Sequence, residues 1–495
     1  MKKQIYNPIF PLNVCIPDGE PHVFGDRVYV FGSHEDAGGR EFCTLGYEFF
    51  SAPVNDLTEW SSKGINYAPD QDPTFGEKNK YMYAPDVVKG NDGRYYLYYA
   101  MSGGGGFTSP IHVAVCDTPD GKYEYYGEVR NADGSAYTRK ITFDPAVIND
   151  DGIIRLYYGW ALAVNRNTLK RLEQNNTSLN DVLSWMFGKT KEEIEKEPDN
   201  IMGAYTVELE EDMLTVKTQP KRVVVGQFDS VGTPFEGHAF FEGSSIRKIN
   251  DRYYFIYSSE QQHELCYATS RYPDRNFRFG GTIVSNGDIG YGGRKAEERL
   301  AATGNNHGSI EKINGKWYVF YHRQTHKTSF SRQACAEEIT IGADGDIAQA
   351  EITSQGLNGG ALMAEGSYPA SICCNLTNGK MPHVDPRTKE ENIPAVTHSG
   401  NDFYVGELSD GCEAAFKYFE FTGKTILTLT IRGDEGILKV NAGGVKAEKE
   451  IAVSKTWQKI SFSLDVKGIV PVSVSYCGKG KIDFSELCFE KEKGE

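Results

Sequence analysis

The sequence predicts an all-β protein, a five-bladed β-propeller followed by a β-sandwich. The chain has 495 residues, which is enough for two or three domains. Tyrosine, phenylalanine and glycine are abundant, with 29, 26 and 53 copies, and this mix is typical of short strands joined by tight turns. Two patterns decide the architecture: a hairpin repeat along the first 325 residues, and an alternation of apolar and polar residues in the last hundred.

The repeat is an apolar and aromatic strand that follows a turn rich in Gly, Asp and Asn. Each copy therefore resembles the second strand of a β-hairpin. The five copies occupy residues 25–33, 92–100, 151–160, 251–259 and 315–323. Intervals of about 60 to 100 residues suit the four-stranded blades of a propeller with some long loops.

A polar residue stands at the head of the first strand of each hairpin. These head residues are Asp18, Asp86, Asp144, Glu242 and His307, each about ten to thirteen residues before the middle of the second strand. Equivalent strands of a repeat place equivalent residues at the same radius. We therefore expect the five head residues to surround one axis.

The widest interval, between the third and fourth copies, contains an insertion at about 165–200. Its leucines and other apolar residues recur with a loose helical period, and Ser178 or Asn180 is a candidate helix cap. We expect helices that decorate one face of the propeller. The propeller is predicted to span residues 1–360, and residues 361–495 are predicted to form a Gly-, Asn- and Pro-rich linker and a β-sandwich.

Composition excludes several classes of protein. A formal net charge of −15 argues against nucleic-acid binding and gives no attraction to an anionic membrane surface. No apolar run is long enough to span a membrane, and the N-terminal segment does not resemble a secretory signal. Ten scattered cysteines without a CxxC pair indicate reduced thiols. We expect a cytoplasmic protein whose partner is a small oligosaccharide, not nucleic acid or a membrane.

Three of the head residues are carboxylic acids, and their convergence would indicate acid–base chemistry. Cleavage of a glycosidic bond needs two carboxyl groups in different protonation states, and a third can keep the pKa of the acid high. Taken singly, Asp18 and Asp144 are better explained as turn residues. Glu242 is harder to explain that way, because it lies among apolar and small neighbours in FFEGSSI. The shared position of all three favours catalysis.

Several motifs resemble those of glycoside hydrolase family 43, in the family's order, over about residues 5–355. They are PDGEPHVFGDRVYVFGSH, YAPDVV, FDPAVINDDG, FFEGSSIRKINDRYYFIYSS and NNHGSIEKINGKWYVFYHR. The resemblance implies a five-bladed propeller that hydrolyses glycosides with inversion at the anomeric carbon. It matches Asp18 to the general base, Asp144 to the residue that modulates the pKa, and Glu242 to the general acid.

One departure from the family pattern concerns the base. The family's base often stands in an Asp-Pro pair, whereas Gly19 follows Asp18. The neighbouring pair Glu20-Pro21 is therefore a rival register for the base.

The remaining candidate site residues are predicted to contact substrate. His307 matches a family histidine near an axial water or calcium, so it is also a candidate metal ligand, and calcium is the candidate ion. Trp160 lies at a strand end near Asp144 and is as readily explained as propeller core. Asp86 heads its repeat but is also explained as the brace of a loop. No organic cofactor is expected, and no zinc, serine-hydrolase or P-loop motif is present.

The C-terminal part, at about 380–493, resembles a carbohydrate-binding module of family 6. YVGELSDGCEAAFKYFEF and GKGKIDFSELCFE carry the resemblance. Such modules bind sugar on aromatic platforms, which makes Tyr404, Tyr418 and Trp457 candidate stacking residues, although each is equally typical of a core.

The three carboxylates predict a glycoside hydrolase, and the resemblance implies an inverting exo-enzyme that releases pentose units from arabinoxylan-type oligosaccharides. The expected activity is that of an α-L-arabinofuranosidase, a β-xylosidase or both. Inversion predicts roughly 6.5–9.5 Å between the carboxyl groups of Asp18 and Glu242, whereas a retaining enzyme would have them near 5 Å apart. The alternative is a non-catalytic carbohydrate-binding propeller, which would require one of the three carboxylates to be displaced.

Overall fold

Five small antiparallel sheets surround a common axis, and a larger sheet follows them in the chain. The computed structural model describes residues 3–103, 109–164, 166–386 and 392–492. The first strands of neighbouring blades contact one another, so these strands line the axis. The predicted five-bladed propeller and the sandwich behind it are confirmed.

Blades 1 to 4 each have four strands that pair in chain order. Blade 1 contains β1 (Glu20–Phe24), β2 (Arg27–Phe31), β3 (Tyr47–Pro53) and β4 (Ser61–Tyr67). Blade 2 contains β5 (Tyr81–Lys89), β6 (Tyr95–Ser102), β7 (His112–Cys116) and β8 (Glu124–Glu128). Blade 3 contains β9 (Ala146–Asp150), β10 (Ile153–Trp160), β11 (Gly203–Glu208) and β12 (Lys221–Val225). Blade 4 contains β13 (Phe240–Ile249), β14 (Arg252–Ser259), β15 (Glu264–Ser270) and β16 (Arg278–Ser285).

Blade 5 has three strands of its own, β17 (Ser309–Ile313), β18 (Lys316–Arg323) and β19 (Gln333–Ile339). The N-terminal segment runs along the open edge of β19. The backbone N–H of Ile9 donates to the carbonyl of Ala334 (3.0 Å). The buried Asn7 amide accepts from the N–H of Ala336 and donates to its carbonyl. The two ends of the propeller are thereby joined, which closes the ring.

The five predicted hairpin strands correspond to β2, β6, β10, β14 and β18. Apart from their first residue or two they are almost entirely buried. Blades stack face to face, so a second strand is covered on both sides, and this explains its unbroken apolar and aromatic sequence. The contact between Tyr47 of blade 1 and Tyr99 of β6 in blade 2, with ring centroids 5.9 Å apart, is one example of this packing.

The insertion between blade strands β10 and β11 is helical, as predicted. It contains α1 (Arg166–Gln174), α2 (Leu179–Phe187) and α3 (Lys191–Lys196). Ser178 caps α2, because its hydroxyl accepts from the N–H of Asp181 while the Asp181 carboxylate accepts from the N–H of Ser178. α2 packs on the propeller through buried Leu183 and Phe187.

The C-terminal sandwich begins directly after the propeller. It contains β20 (Leu362–Met363), β21 (Gly366–Pro369), β22 (Asn375–Thr377), β23 (Ala395–Ser399), β24 (Asp402–Ser409), β25 (Glu413–Gly433), β26 (Gly436–Ala442), β27 (Val445–Ile451), β28 (Ser454–Cys477) and β29 (Lys481–Lys491). Residues 362–377, expected to be part of a linker, form three short strands that pair with β25 and β29. The predicted linker is therefore largely part of the sandwich, and only the stretch between β22 and β23 has no strand among its described residues.

The strands β25 and β28 have 21 and 24 residues and are too long for one flat layer. Their pairing shifts register between Phe416 and Phe419 and again between Ile431 and Gly433. Such irregularities bend strands, and here they allow the same two strands to serve both layers. Among the described residues, no helix is long and apolar enough to cross a membrane.

Candidate active site

A cavity of about 960 Å³ opens at the end of the axis where the first strands of the blades begin. Four of the five predicted head residues line it: Asp18, Asp144, Glu242 and His307. A volume of this size lies at the upper end for small-molecule sites and has room for several sugar rings.

The chain enters three of the first strands through unusual backbone conformations. Asp18 and Asp144 each stand two residues before their strand and have φ of 58° and 46°. In blade 4, Gly243 takes the corresponding turn with φ of 78°, directly after Glu242. Positive φ is rare for residues other than glycine and is maintained only where the surrounding structure enforces it. The turn points the Asp18 and Asp144 side chains into the cavity.

Asp18 is buried and ionised. The Arg332 guanidinium donates to both of its carboxylate oxygens, at 2.9 and 3.4 Å. Its backbone N–H donates to Nδ1 of His322, whose Nε2 donates to the carbonyl of Asn305. Burial alone would raise the pKa of Asp18, but the positive charge of Arg332 outweighs it and holds the pKa far below its usual range.

Glu242 is in the opposite state. Burial raises its pKa to about 7, and the negative charge of Asp18 adds to the increase. Hydrogen bonds from Asn305 (3.1 Å to Oε1) and Trp160 limit the increase, because they stabilise the ionised form. Glu242 therefore retains a proton close to neutral pH.

The pKa of Asp144, like that of Glu242, is shifted upward. Burial raises its pKa well above the usual value, and the charges of Glu242 and Asp18 raise it further. The N–H of Gly243 donates to its Oδ2 at 2.9 Å and provides partial compensation. Asp144 and Glu242 thus form a coupled pair that resists double ionisation.

Two side chains separate Asp18 from Glu242. Arg332 contacts Asp18 on one side and the Asn305 amide oxygen (3.5 Å) on the other, and the Asn305 amide nitrogen contacts Glu242. Asp18 and Glu242 are therefore linked through Arg332 and Asn305.

Asp86 does not line the cavity, which corrects the prediction that it contacts substrate. It is fully buried within β5, where His22 Nε2 and the N–H groups of Val87 and Val147 contact its carboxylate. The hairpin turn of blade 2 has five residues, 90–94, whereas that of blade 1 has two. Because this turn is longer, a residue about ten positions before the middle of the second strand falls within the first strand of blade 2. Asp86 is that residue, so it does not stand in front of the strand.

The rival base Glu20 also lies outside the cavity. It belongs to β1, and its Oε2 accepts from the buried Arg247 guanidinium at 3.0 Å. Its side chain therefore lies below the cavity floor, whereas Asp18 reaches the cavity.

His307 lines the cavity, with Nδ1 at 3.8 Å from Asp18 Oδ1, and burial lowers its pKa to about 4. Calcium prefers six to eight oxygen ligands. Among the described residues, no set of three His, Cys, Asp or Glu ligand atoms converges at His307, and Asp18 is already engaged by Arg332. These residues do not fit a calcium site built from protein ligands, so no chemical step is assigned to an ion, and calcium at His307 stays a prediction.

The cavity wall is aromatic in part and comes from several parts of the chain. Trp160 lies on the wall and also packs against Phe187 and Phe241, with ring centroids at 5.3 and 5.8 Å. It thus belongs both to the cavity and to the core. The helical insertion contributes Met186, and the segment between β22 and β23 contributes residues 383–386.

Two further residues of the site, Arg332 and Asn305, were not predicted from the sequence. Arg332 is buried between Asp18 and Glu35 and donates to both carboxylates. It precedes β19, the third strand of its blade, so the pattern of strand heads holds no signal for it. Asn305 stands two residues before the head residue His307, so the pattern of strand heads could have indicated it.

The aromatic residues of the sandwich are not assembled into one open platform. The Tyr418 hydroxyl donates to Glu351 of the propeller at 2.9 Å. Tyr404 and Trp457 are neighbours, but the Arg432 guanidinium lies over both rings, at 4.8 and 4.4 Å from their centroids. Sugar binding by the sandwich stays a prediction.

A propeller whose axial cavity holds one ionised and one protonated carboxyl group on different blades has the features of an acid–base glycosidase. The family model for glycosyl hydrolases family 43 matches residues 6–183 and 178–347. The chain belongs to this family and is a glycoside hydrolase.

One relative covers nearly the whole chain, and others cover about its first two thirds. A xylosidase/arabinosidase of Thermoclostridium stercorarium is 40% identical over 97% of this chain and 98% of its own length. A β-xylosidase of Xylanibacter ruminicola is 27% identical over 68% of this chain and 97% of its own. The first of these relatives shares the sandwich as well as the propeller.

Solved structures show the same propeller. A family 43 enzyme of Xanthomonas citri complexed with xylose superposes with a TM-score of 0.52 at 24% identity, covering 70% of this chain and 94% of that one. A family 43 β-xylosidase/α-arabinofuranosidase from a compost microbial metagenome, in complex with xylotriose and described as a calcium-free form, has a TM-score of 0.50 at 25% identity. It covers 69% of this chain and 96% of that one.

Proposed function

We propose that this glycoside hydrolase releases single pentose units, xylose or arabinofuranose, from the ends of short oligosaccharides by inversion. The observation that carries the proposal is the pair of opposite protonation states in one cavity: Asp18 ionised by Arg332, and Glu242 protonated through burial. The names of the relatives, xylosidase/arabinosidase and β-xylosidase, support the choice of sugar.

Glu242 acts as the general acid in this proposal. Its proton is transferred to the glycosidic oxygen as the bond to the anomeric carbon breaks. Trp160 and Asn305 hold the carboxyl group in place and stabilise the carboxylate that remains after proton transfer.

Asp18 acts as the general base and accepts a proton from the attacking water. A carboxylate of such low pKa is a weak base, but the anomeric carbon gains positive charge in the transition state and makes the water more acidic. Asp144 and Glu242 resist double ionisation, so the pair keeps a proton that Glu242 can deliver to the glycosidic oxygen. Water enters on the face opposite the leaving group, so the product has inverted configuration.

The decisive experiment compares 4-nitrophenyl β-D-xyloside and α-L-arabinofuranoside with xylobiose and an arabinofuranosyl-xylose disaccharide. Asp18→Asn should lower kcat/KM on every substrate by about 10²–10⁴-fold. Glu242→Gln should lower it by a similar factor on the disaccharides and much less on the nitrophenyl glycosides, because nitrophenolate leaves without protonation. Product configuration read by NMR in the first minutes should be inverted.

Glu20→Gln is the matched control, because Glu20 lies two residues from Asp18 and outside the cavity. It should change stability and leave the ratio of activities on the two classes of substrate unchanged. A wild-type protein without activity on any of these pentosides, or a Glu20→Gln variant that loses activity as Asp18→Asn does, would contradict the proposal.

A further inference from the structure

The segment between β22 and β23 reaches back to the cavity and contacts a turn of blade 4. That turn, residues 260–263, joins β14 to β15, and Gln262 within it has φ of 66° and lines the cavity. His383 lines the same wall, and its Nε2 lies 2.9 Å from the side-chain oxygen of Gln262. The main chain fixes this segment, because Val384 N–H donates to the carbonyl of Thr303 and Thr303 N–H to that of Pro382.

The hydrogen bonds around His383 have only one consistent direction. The amide oxygen of Gln262 can only accept, so Nε2 of His383 carries the hydrogen and donates. Burial lowers the pKa of His383 to about 4, so the ring is neutral and Nδ1 accepts. Its donor is the hydroxyl of Thr303 at 3.1 Å, which in turn accepts from Arg299 at 2.9 Å.

The hydrogen bonds from Arg299 through Thr303 and His383 fix the side-chain oxygen of Gln262 and do not involve its amide nitrogen. Among the residues that the structure describes, no group accepts a hydrogen bond from that nitrogen, while the oxygen is held by His383. A half-buried NH₂ group on the wall of a sugar-binding cavity is a donor suited to a sugar hydroxyl. The neighbouring peptide adds rigidity, since Gln262 N–H donates to the Ser259 carbonyl at 2.8 Å.

We propose that Gln262 binds a hydroxyl of the leaving-group sugar and that His383, from the chain beyond the propeller, is the residue that positions it. Two observations place the contact on the leaving-group side. Glu242 pairs with Ser258 across β13 and β14, so the acid and Gln262 belong to the same edge of blade 4. Asp18 and Asp144 are almost fully buried, which assigns the glycone to the deeper end of the cavity and the leaving group to its outer part. Specificity for a disaccharide over a simple pentoside then depends on the C-terminal half of the chain.

The inference rests on the proposed function, and its test uses the full-length protein with xylobiose and 4-nitrophenyl β-D-xyloside, or with the arabinofuranosyl pair if the wild type prefers arabinose. Gln262→Ala and His383→Ala should each lower kcat/KM on the disaccharide about five- to tenfold, mainly through KM. Activity on the nitrophenyl glycoside, which has no leaving-group sugar, should stay within about twofold. The double variant should be no worse than Gln262→Ala, because the two residues act as one unit.

His398→Ala is the matched control, an exposed histidine of the same C-terminal region that does not line the cavity. It should behave as wild type on both substrates. Equal losses on both substrates, additive effects in the double variant, or no loss on the disaccharide would each overturn the inference while wild-type activity still supports the proposed function. A wild type inactive on both substrates would overturn the proposed function and this inference together.

Discussion

At the scale of single residues, the protonation states of Asp18 and Glu242 determine the pH dependence of activity. Glu242 must be protonated, so kcat/KM should fall as the pH rises through its pKa of about 7. Asp18 must be ionised, and its pKa lies far below the usual range, so activity should persist well into acid until the fold itself is lost. Asn305→Ala provides the test, because it removes a hydrogen bond that stabilises ionised Glu242.

The alkaline limb of the Asn305→Ala profile should therefore move to higher pH, while kcat falls about tenfold because the acid is less well held. The measurement is kcat/KM against pH for the disaccharide, with Gln261→Ala as a control in the same cavity wall. An alkaline limb that moves to lower pH, or one that does not move, would show that Asn305 does not set the pKa of Glu242.

The same residues show what a sequence can reveal about a site. Asp18, Asp144 and Glu242 could be found because each stands at the entry to a first strand, where the chain repeats. Arg332 could not be found in this way, since its partner Asp18 is 314 positions away and only ring closure brings them together. His383 belongs to a segment whose path depends on how the sandwich docks, so no local pattern contains it.

At the scale of elements, the helical insertion supports the cavity wall. Phe187 of α2 is buried against Trp160, which hydrogen-bonds to Glu242. Phe187→Ala should remove about 3–5 kcal/mol of packing. The loss should loosen the insertion locally, speed its proteolysis and lower kcat/KM by a few-fold through displacement of Trp160.

Trp185→Ala is the control on the same helix, because Trp185 is 81% exposed and should have little effect on either measurement. Limited proteolysis across residues 166–196 and steady-state kinetics provide the two readouts. Unchanged proteolysis and kinetics in Phe187→Ala would mean that the insertion does not position Trp160.

The hairpins at the centre of each blade were predictable because burial on both faces leaves an unbroken apolar run. The outer strands were not, since β4 is exposed on alternate positions and β8 is only half-buried along most of its length. The displacement of Asp86 has a similar origin. The hairpin turn of blade 2 is three residues longer than that of blade 1, which changes the spacing between the head of the first strand and the second strand. The hydrophobic pattern does not reveal this difference in length.

At the scale of the whole molecule, the sandwich is fixed to the propeller by buried polar contacts. Lys417 of β25 binds Asp288 and Glu351 of the propeller at 2.8 and 2.9 Å, and Asp288 is almost fully buried. The Arg323 guanidinium donates to the carbonyl of Cys373 at 2.8 Å. Removing one partner of a buried ion pair lowers the free energy of unfolding by about 3–5 kcal/mol. The propeller and the sandwich therefore each protect charged groups of the other from solvent at this interface.

A chain ending at residue 360 should therefore fold poorly, although residue 360 lies between β19 of the propeller and β20 of the sandwich. The truncation leaves Asp288 and Arg323 without their sandwich partners, and it exposes Ala302, which packs with Met381 and Ile393. Any soluble fraction should melt well below the full-length protein. Because it also lacks His383, its kcat/KM on xylobiose should fall at least tenfold more than on the nitrophenyl xyloside. Thermal unfolding and the ratio of the two activities are the measurements. A soluble product with the melting temperature and substrate ratio of the full chain would make the sandwich an independent module that takes no part in the active site.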